Sequence, residues 1–112
     1  MKATWELSTK EQLPTRITKG PFTLDLLSHK AFLKNNILDL TNTEFRLLYL
    51  CMQSEGDVMS YETICHSIWQ RNMEKEKNVV QAAIKRFRQK IGAAGYDICA
   101  VRGKGYIFIE KV

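Results

Sequence analysis

One stretch limits the folds open to this chain more than any other. It is Asn78 to Ile91, NVVQAAIKRFRQKI, followed after a short gap by VRGKGYIF. Val80, Ile84, Phe87 and Ile91 recur at i, i+4, i+7 and i+11, one face of a helix that repeats every ~3.6 residues. At about 100° per residue the opposite face carries Asn78, Ala82, Lys85, Arg86 and Gln89. Four bulky apolar residues anchor this helix to a core, while amide and cationic side chains point away from it. Such side chains can address phosphates and the base edges of a DNA major groove. Taken alone, the helix fits a solvated surface equally well.

Charge placement separates these readings. The net charge is +5, from 17 basic and 12 acidic residues. Residues 1–70 hold 7 basic and 8 acidic side chains, whereas residues 71–112 hold 10 and 4. The excess therefore lies in the segment that contains the helix and VRGKGYIF. A one-sided field of this kind favours a polyanion, either nucleic acid or an acidic membrane surface.

A length of 112 residues suits one domain with a single modest core, and 45% apolar content argues against a disordered basic tail. No apolar run approaches the ~20 residues of a membrane span, and the opening MKATWELSTKEQ lacks the apolar region of a secretory signal. Cys51, Cys65 and Cys99 are odd in number and scattered, as in a reducing compartment. His29 and His66 with Cys65 lack metal-ligand spacing. Gly103-x-Gly105 is too short for a dinucleotide fingerprint and reads as a tight turn. No cofactor motif, nucleophile motif or carboxylate pair supports catalysis.

Residues 1–19 read as a polar tail or linker with a short strand at Thr15–Lys19, and residues 20–112 as the folded domain. FTLDLL alternates as a half-buried strand. AFLKNNILDL predicts a hairpin about Lys34-Asn35-Asn36, since Asn tolerates positive φ. Thr41 and Glu44 form a capping box for a helix that buries Phe45, Leu47, Leu48, Leu50, Cys51 and Met52 and ends near Glu55-Gly56. Ser60 reads as the N-cap of a second helix, with Glu62 in its first turn and Ile64, Ile68 and Trp69 on its apolar side. Residues 70–77 form the loop before the basic helix. YDICAVRGKGYIFIEKV makes two strands joined at Gly103-Lys104-Gly105. The fold class is α+β: a small N-terminal antiparallel sheet, three helices whose last two form a helix-turn-helix, and a C-terminal β-hairpin wing.

Four motifs in this order resemble the effector domain of the OmpR/PhoB family of bacterial transcription regulators. They are LTNTEFRLLYL, Gly56-Asp57-Val58-Met59-Ser60 with Trp69, VVQAAIKRFRQKI, and VRGKGYIF. The resemblance covers Phe22 to Val112. It implies sequence-specific binding to double-stranded DNA, with the recognition helix (about 77–91) in the major groove and the wing (101–106) at the minor groove. By position, Asn78, Lys85, Arg86 and Arg102 are the candidate base contacts. Trp69, Arg88, Lys104 and Tyr106 are the candidate contacts to phosphates, or braces for such contacts. Val79, Ala82 and Ala83 depart from the family's more polar pattern and would offer apolar contact to a thymine methyl.

Bland alternatives stand beside these roles. Arg86 also fits a salt-bridged surface residue, Arg88 and Lys90 fit solvated flanks, and Tyr106 and Trp69 fit core aromatics. The resemblance further implies head-to-tail dimers on DNA and an RNA polymerase contact in the loop, for which Met73, Glu74 and Lys75 are the candidates. It also implies a receiver or membrane-sensor portion outside this chain. The expected place is the cytoplasm at the nucleoid, or the inner membrane if the domain is tethered. A reading from a different class is a protein-interaction module whose basic face docks an acidic protein.

Overall fold

The computed structural model describes residues 15–69 and 77–111, without the side chains of Trp69 and Lys77. Among the described residues, β1 (Arg16–Lys19), β2 (Phe22–Asp25), β3 (Lys30–Leu33) and β4 (Asn36–Leu38) come first. They are followed by α1 (Asn42–Gln53), β5 (Val58–Met59), α2 (Tyr61–Trp69), α3 (Lys77–Ile91), a 3₁₀ turn (Gly92–Ala94), β6 (Tyr96–Val101) and β7 (Gly105–Glu110).

The first four strands form an antiparallel meander in chain order. Because Arg16–Lys19 pairs with Phe22–Asp25 in full register, the sheet begins before residue 20, where the sequence reading set the domain boundary. Its pleat turns Phe22, Leu24 and Ala31 inward, as period-2 alternation requires. The expected hairpin after β3 is present, with Leu33 opposite Asn36. Its positive-φ residue is Lys34 (φ 60°), not an asparagine.

The capping box closes α1 as expected. Thr41 Oγ1 accepts the Glu44 amide at 3.2 Å, and Glu44 Oε1 accepts the Thr41 amide at 2.9 Å. Ser60 Oγ likewise accepts the Thr63 amide at 3.1 Å and starts α2. Ile64, Cys65 and Ile68 form the buried side of α2. Helix α1 ends at Gln53, and Gly56 (φ 86°) turns the chain so that its amide donates to the Phe108 carbonyl at 3.0 Å. That turn delivers β5, a two-residue strand unmarked in the sequence, onto β7. The C-terminal hairpin is thus part of a three-stranded sheet in the order β5-β7-β6.

Both sheets and all three helices close on one core, in which Phe22, Leu24, Leu48, Phe87, Ile98 and Phe108 are fully buried. Tyr96 stacks on Phe108 at 5.0 Å and meets Phe22 edge-on at 5.3 Å. Each large apolar side chain withdrawn in this way contributes roughly 1.5–3 kcal/mol.

Two polar ties fix the helix-turn-helix on this core. Arg46 Nη1 donates to the Ile68 carbonyl at 3.1 Å, placing a cation on the C-terminal end of α2. Lys90 Nζ sits 2.7 Å from Glu44 Oε1, joining the last turn of α3 to the first turn of α1. Glu44 is only 2% exposed. Burial alone would raise its pKa, but the Lys90 ammonium and the Thr41 amide outweigh it and hold the carboxyl below its ordinary range. The Glu44 contribution to stability is therefore complete above the unfolded value near 4.5, and is lost as pH falls through the lower folded value.

Removing Lys90 leaves a buried carboxylate short of a partner. Lys90→Ala should therefore cost ~2–3 kcal/mol near neutral pH in chemical denaturation. The gap to the native protein should narrow as pH falls below 4.5 and close only once the native carboxyl, whose pKa is held lower still, is protonated as well. A gap independent of pH would show that the pair contributes nothing electrostatic. Backbone approach makes a second demand at Gly105 (φ 147°), where any Cβ would run into the Met59 carbonyl of β5. Gly105→Ala should lower the urea midpoint by the equivalent of ~2 kcal/mol or more, since neither φ nor space allows the methyl.

Candidate nucleic-acid interface

The core-facing stripe of α3 consists of Val80, Ala83, Ile84, Phe87 and Ile91, each at most 4% exposed. That burial directs Asn78, Gln81, Ala82, Lys85, Arg86 and Gln89 into solvent along the other side. Ala83 is a correction to the sequence reading: it packs inward and offers no methyl to a base. Val79, 40% exposed, and Ala82 keep that capacity.

The cations of α3 occupy different environments. Lys85 projects from the centre of the exposed face. Arg86 lies on the α1 flank, where it lines a concavity of about 310 Å³ with Thr41, Thr43, Glu44, Val79 and Ala83, though the Glu44 carboxylate is paired with Lys90. Lys90, on the same flank one turn later, is committed to Glu44. On the opposite flank, Arg88 Nε donates to Asp97 Oδ1 of β6 at 3.1 Å. Burial pushes the Asp97 carboxyl up, but the Ile98 amide and the Arg88 guanidinium more than offset it and hold its pKa below the ordinary range. Arg88 is still about half exposed, so its remaining donors stay available to an anion.

The wing forms because β6 and β7 pair from Tyr96–Glu110 to Val101–Gly105. Arg102, Gly103 and Lys104 make the exposed loop, one residue earlier than the Gly103–Gly105 join expected from sequence. Gly103 (φ 75°) supplies the left-handed residue, and the Lys104 amide closes the turn on the Val101 carbonyl at 2.9 Å. Arg102 and Lys104 are both exposed at the tip.

Tyr106 belongs to the interior. It is 7% exposed and meets Tyr61 of α2 edge-on at 5.6 Å. Burial, then a hydrogen bond with Tyr61, push its phenol up to about 12, so it stays neutral. It packs the wing strand against α2, as the core-aromatic alternative requires. The side chain of Trp69 and the residues Met73, Glu74 and Lys75 lie outside the described residues.

Sequence reasoning did not find Asp97, the acid set into the flank of a cationic face. It is an isolated charge in an alternating strand, and only the packing of β6 beside α3 reveals its partner. Among the described residues no cluster of His, Cys, Asp and Glu could hold a metal ion.

A short sheet, a helix-turn-helix whose second helix turns a cationic face outward, and a hairpin tipped with Arg and Lys together define a winged-helix DNA-binding domain. Comparison with known proteins agrees. The family model described as "Transcriptional regulatory protein, C terminal" matches residues 34–108. The chain is 42% identical over 87 residues to the transcriptional activator protein IrlR of Burkholderia pseudomallei, covering 75% of this chain and 38% of that protein. It is 32% identical over 97 residues to the two-component response regulator PhoP of Pseudomonas aeruginosa, covering 85% and 43%. The solved DNA-binding domain of CpxR from E. coli matches with a TM-score of 0.72 at 25% identity, over 89% of this chain and 100% of that one. The Klebsiella pneumoniae RstA DNA-binding domain, solved in complex with the RstA box, shares the fold with a TM-score of 0.73 at 24% identity, over 86% and 98%.

The chain belongs to this family, the OmpR/PhoB-type effector domains, which are DNA-binding regulators of transcription rather than enzymes. It spans about two-fifths of the length of the curated relatives it matches.

Asp97 restrains a cation beside the exposed face, so neutralising it should strengthen DNA binding without sharpening it. Asp97→Asn is expected to raise affinity for random duplex a few-fold and to steepen the salt dependence by up to ~0.9 in log–log slope. Weaker binding in a fluorescence-anisotropy titration would instead mean that Asp97 positions Arg88 productively.

Proposed function

We propose that this chain is the DNA-reading unit of a bacterial transcription regulator. In this reading α3 enters the major groove, and the wing reaches the adjacent minor groove. The observation that carries the reading is the division of labour among the cations. Lys90 is consumed by the fold and Arg88 is half-held by Asp97, while Lys85, Arg86 and Arg102 are exposed with no acidic partner found among the described residues.

Arg86 and Lys85, with Asn78 at the start of the helix, are the proposed base readers. A guanidinium matches the O6 and N7 acceptors of guanine in a bidentate way that a lysine cannot. Arg102 is the proposed minor-groove residue, aided by the small cross-section of a loop containing Gly103. Arg88 and Lys104 are the proposed phosphate contacts, Trp69 a further one, and Tyr106 their brace. Gln89 shares the outward face with Lys85 and joins the proposed contact surface.

Binding as head-to-tail pairs on direct repeats, contact with RNA polymerase through Met73, Glu74 and Lys75, and control by a receiver or sensor portion complete the proposal. These rest on family membership and on the length of the matched relatives, and not on a contact within this chain. The part of the proposal that rests on side chains is the separation of base readers from phosphate contacts.

Competition titrations with a preferred duplex and a scrambled one test this separation. Arg86→Ala should cost ~1–3 kcal/mol on the preferred duplex and little on the scrambled one. Arg88→Ala should weaken both alike and reduce the salt slope by about one phosphate's worth, ~0.9. Equal losses on both duplexes for Arg86→Ala would remove its base-reading role. An acidic protein that DNA fails to displace at physiological salt would favour a protein-docking role for the same face.

A further inference from the structure

A helix in a major groove and a hairpin at the adjacent minor groove must straddle the sugar-phosphate strand that separates the two. Here a concavity of about 300 Å³ lies between α3 and the base of the wing. Lys85, Arg88, Gln89 and Gly92 line it from α3 and the turn after it, Asp97 from β6, and Lys111 from the residue after β7. Lys85, Arg88 and Gln89 stand at i, i+3 and i+4, which is one stripe of helix surface.

The charge around this concavity is one-sided, with three cations to one carboxylate. Asp97 is already satisfied: Arg88 Nε and the Ile98 amide donate to Oδ1 at 3.1 and 2.8 Å, and the Cys99 thiol to Oδ2 at 3.6 Å. Lys85 and Lys111 have no acidic partner among the described residues, and Arg88 is about half exposed. Burial and then Asp97 hold the Cys99 thiol above its usual range, while the Arg88 and Lys111 charges act against them. Both cations therefore bear on the same patch of β6. The backbone fixes where Lys111 stands. Its amide donates to the Gly95 carbonyl at 2.7 Å, and the Gly95 amide closes on the Gly92 carbonyl at 3.3 Å, so the end of α3 is joined to the end of β7. A methyl at Gly92 would meet no protein atom within 4 Å, so packing leaves that edge of the concavity open.

We propose that this concavity seats one DNA backbone phosphate, with Arg88, Lys111 and Gln89 as its donors and Lys85 at its rim. The inference rests on the DNA-reading role proposed above, and it adds Lys111, a residue outside both α3 and the wing loop, to the contact surface. A phosphate suits the chemistry of the site. Guanidinium and ammonium groups make charge-assisted bonds to its oxygens, and the Gln89 amide adds a neutral donor. The positive charge left over after Asp97 has the sign that a phosphate needs. Asp97 engages Arg88 through Nε, which leaves the other guanidinium donors for the ligand. None of these contacts reads a base edge, so the seat sets the register of α3 on the duplex and does not choose the sequence.

Duplexes that carry a single uncharged methylphosphonate at successive backbone positions test the seat, with affinities of the full chain read by fluorescence anisotropy. Lys111→Gln should weaken preferred and scrambled duplexes alike, several-fold, and lower the log–log salt slope by up to ~0.9. One methylphosphonate position should weaken the native chain several-fold and have little further effect on either Lys111→Gln or Arg88→Ala. Native affinity and slope in Lys111→Gln would overturn the seat, as would a different insensitive position for each variant, and the base-reading role of Arg86 would stand. A native chain that binds no duplex would overturn the DNA-reading role together with the seat. Shifts of the Gly92 and Lys111 amides that millimolar inorganic phosphate saturates, with no sensitive backbone position, would give the seat to a free anion and overturn its assignment to DNA.

Discussion

A carboxylate that is 2% exposed has to find its partners inside the protein, and Glu44 finds them on two elements at once. One oxygen, Oε1, accepts the Thr41 amide, which starts α1, and the Lys90 ammonium, which ends α3. The local capping function and the long-range tie therefore share a single atom. Shifting the last turn of α3 relative to α1 would strand a charge away from water, which costs several kcal/mol. That penalty resists rotation of the helix about its axis. The outward direction of Lys85 and Arg86 depends on the same constraint.

The wing depends on a second constraint of a different kind. Its strand β7 lies between β5 and β6, and Gly105 lets it pass against the Met59 carbonyl. Tyr106 then packs against Tyr61 of α2. The loop bearing Arg102 is thus connected through one strand to the first helix of the helix-turn-helix. The Arg88–Asp97 pair ties α3 to β6, the other strand of the wing, so helix and wing are held side by side. Rigid placement of this sort reduces the entropy lost when side chains meet DNA.

Much of this was legible in the sequence because its signals are local. The Thr41–Glu44 spacing, the Ser60 cap, the apolar period of α3 and the alternation of β6 and β7 each lie within a few residues. What escaped was non-local or very short. Lys90 is 46 residues from Glu44, and nothing in QKI distinguishes it from a solvated lysine. β5 has two residues, too few to show alternation, and exists because Gly56 turns the chain onto Phe108. Ala83 was misplaced because alanine carries little directional signal, and its position close to the Val80–Phe87 stripe decides its side. Lys34, rather than asparagine, takes the left-handed turn position, since register and not residue preference sets which residue must adopt it.

A cationic helix face and an arginine-tipped wing, held side by side, are proposed to read base sequence and not charge alone. Selection of binding sites from random duplex DNA at ~150 mM salt, where purely electrostatic binding is suppressed, separates the two. The expected outcome is an enriched motif with a half-site matched to one major groove and its flanking minor groove, repeated at about one helical turn if pairs form. A folded protein that retains DNA at low salt yet enriches no sequence at ~150 mM would contradict it.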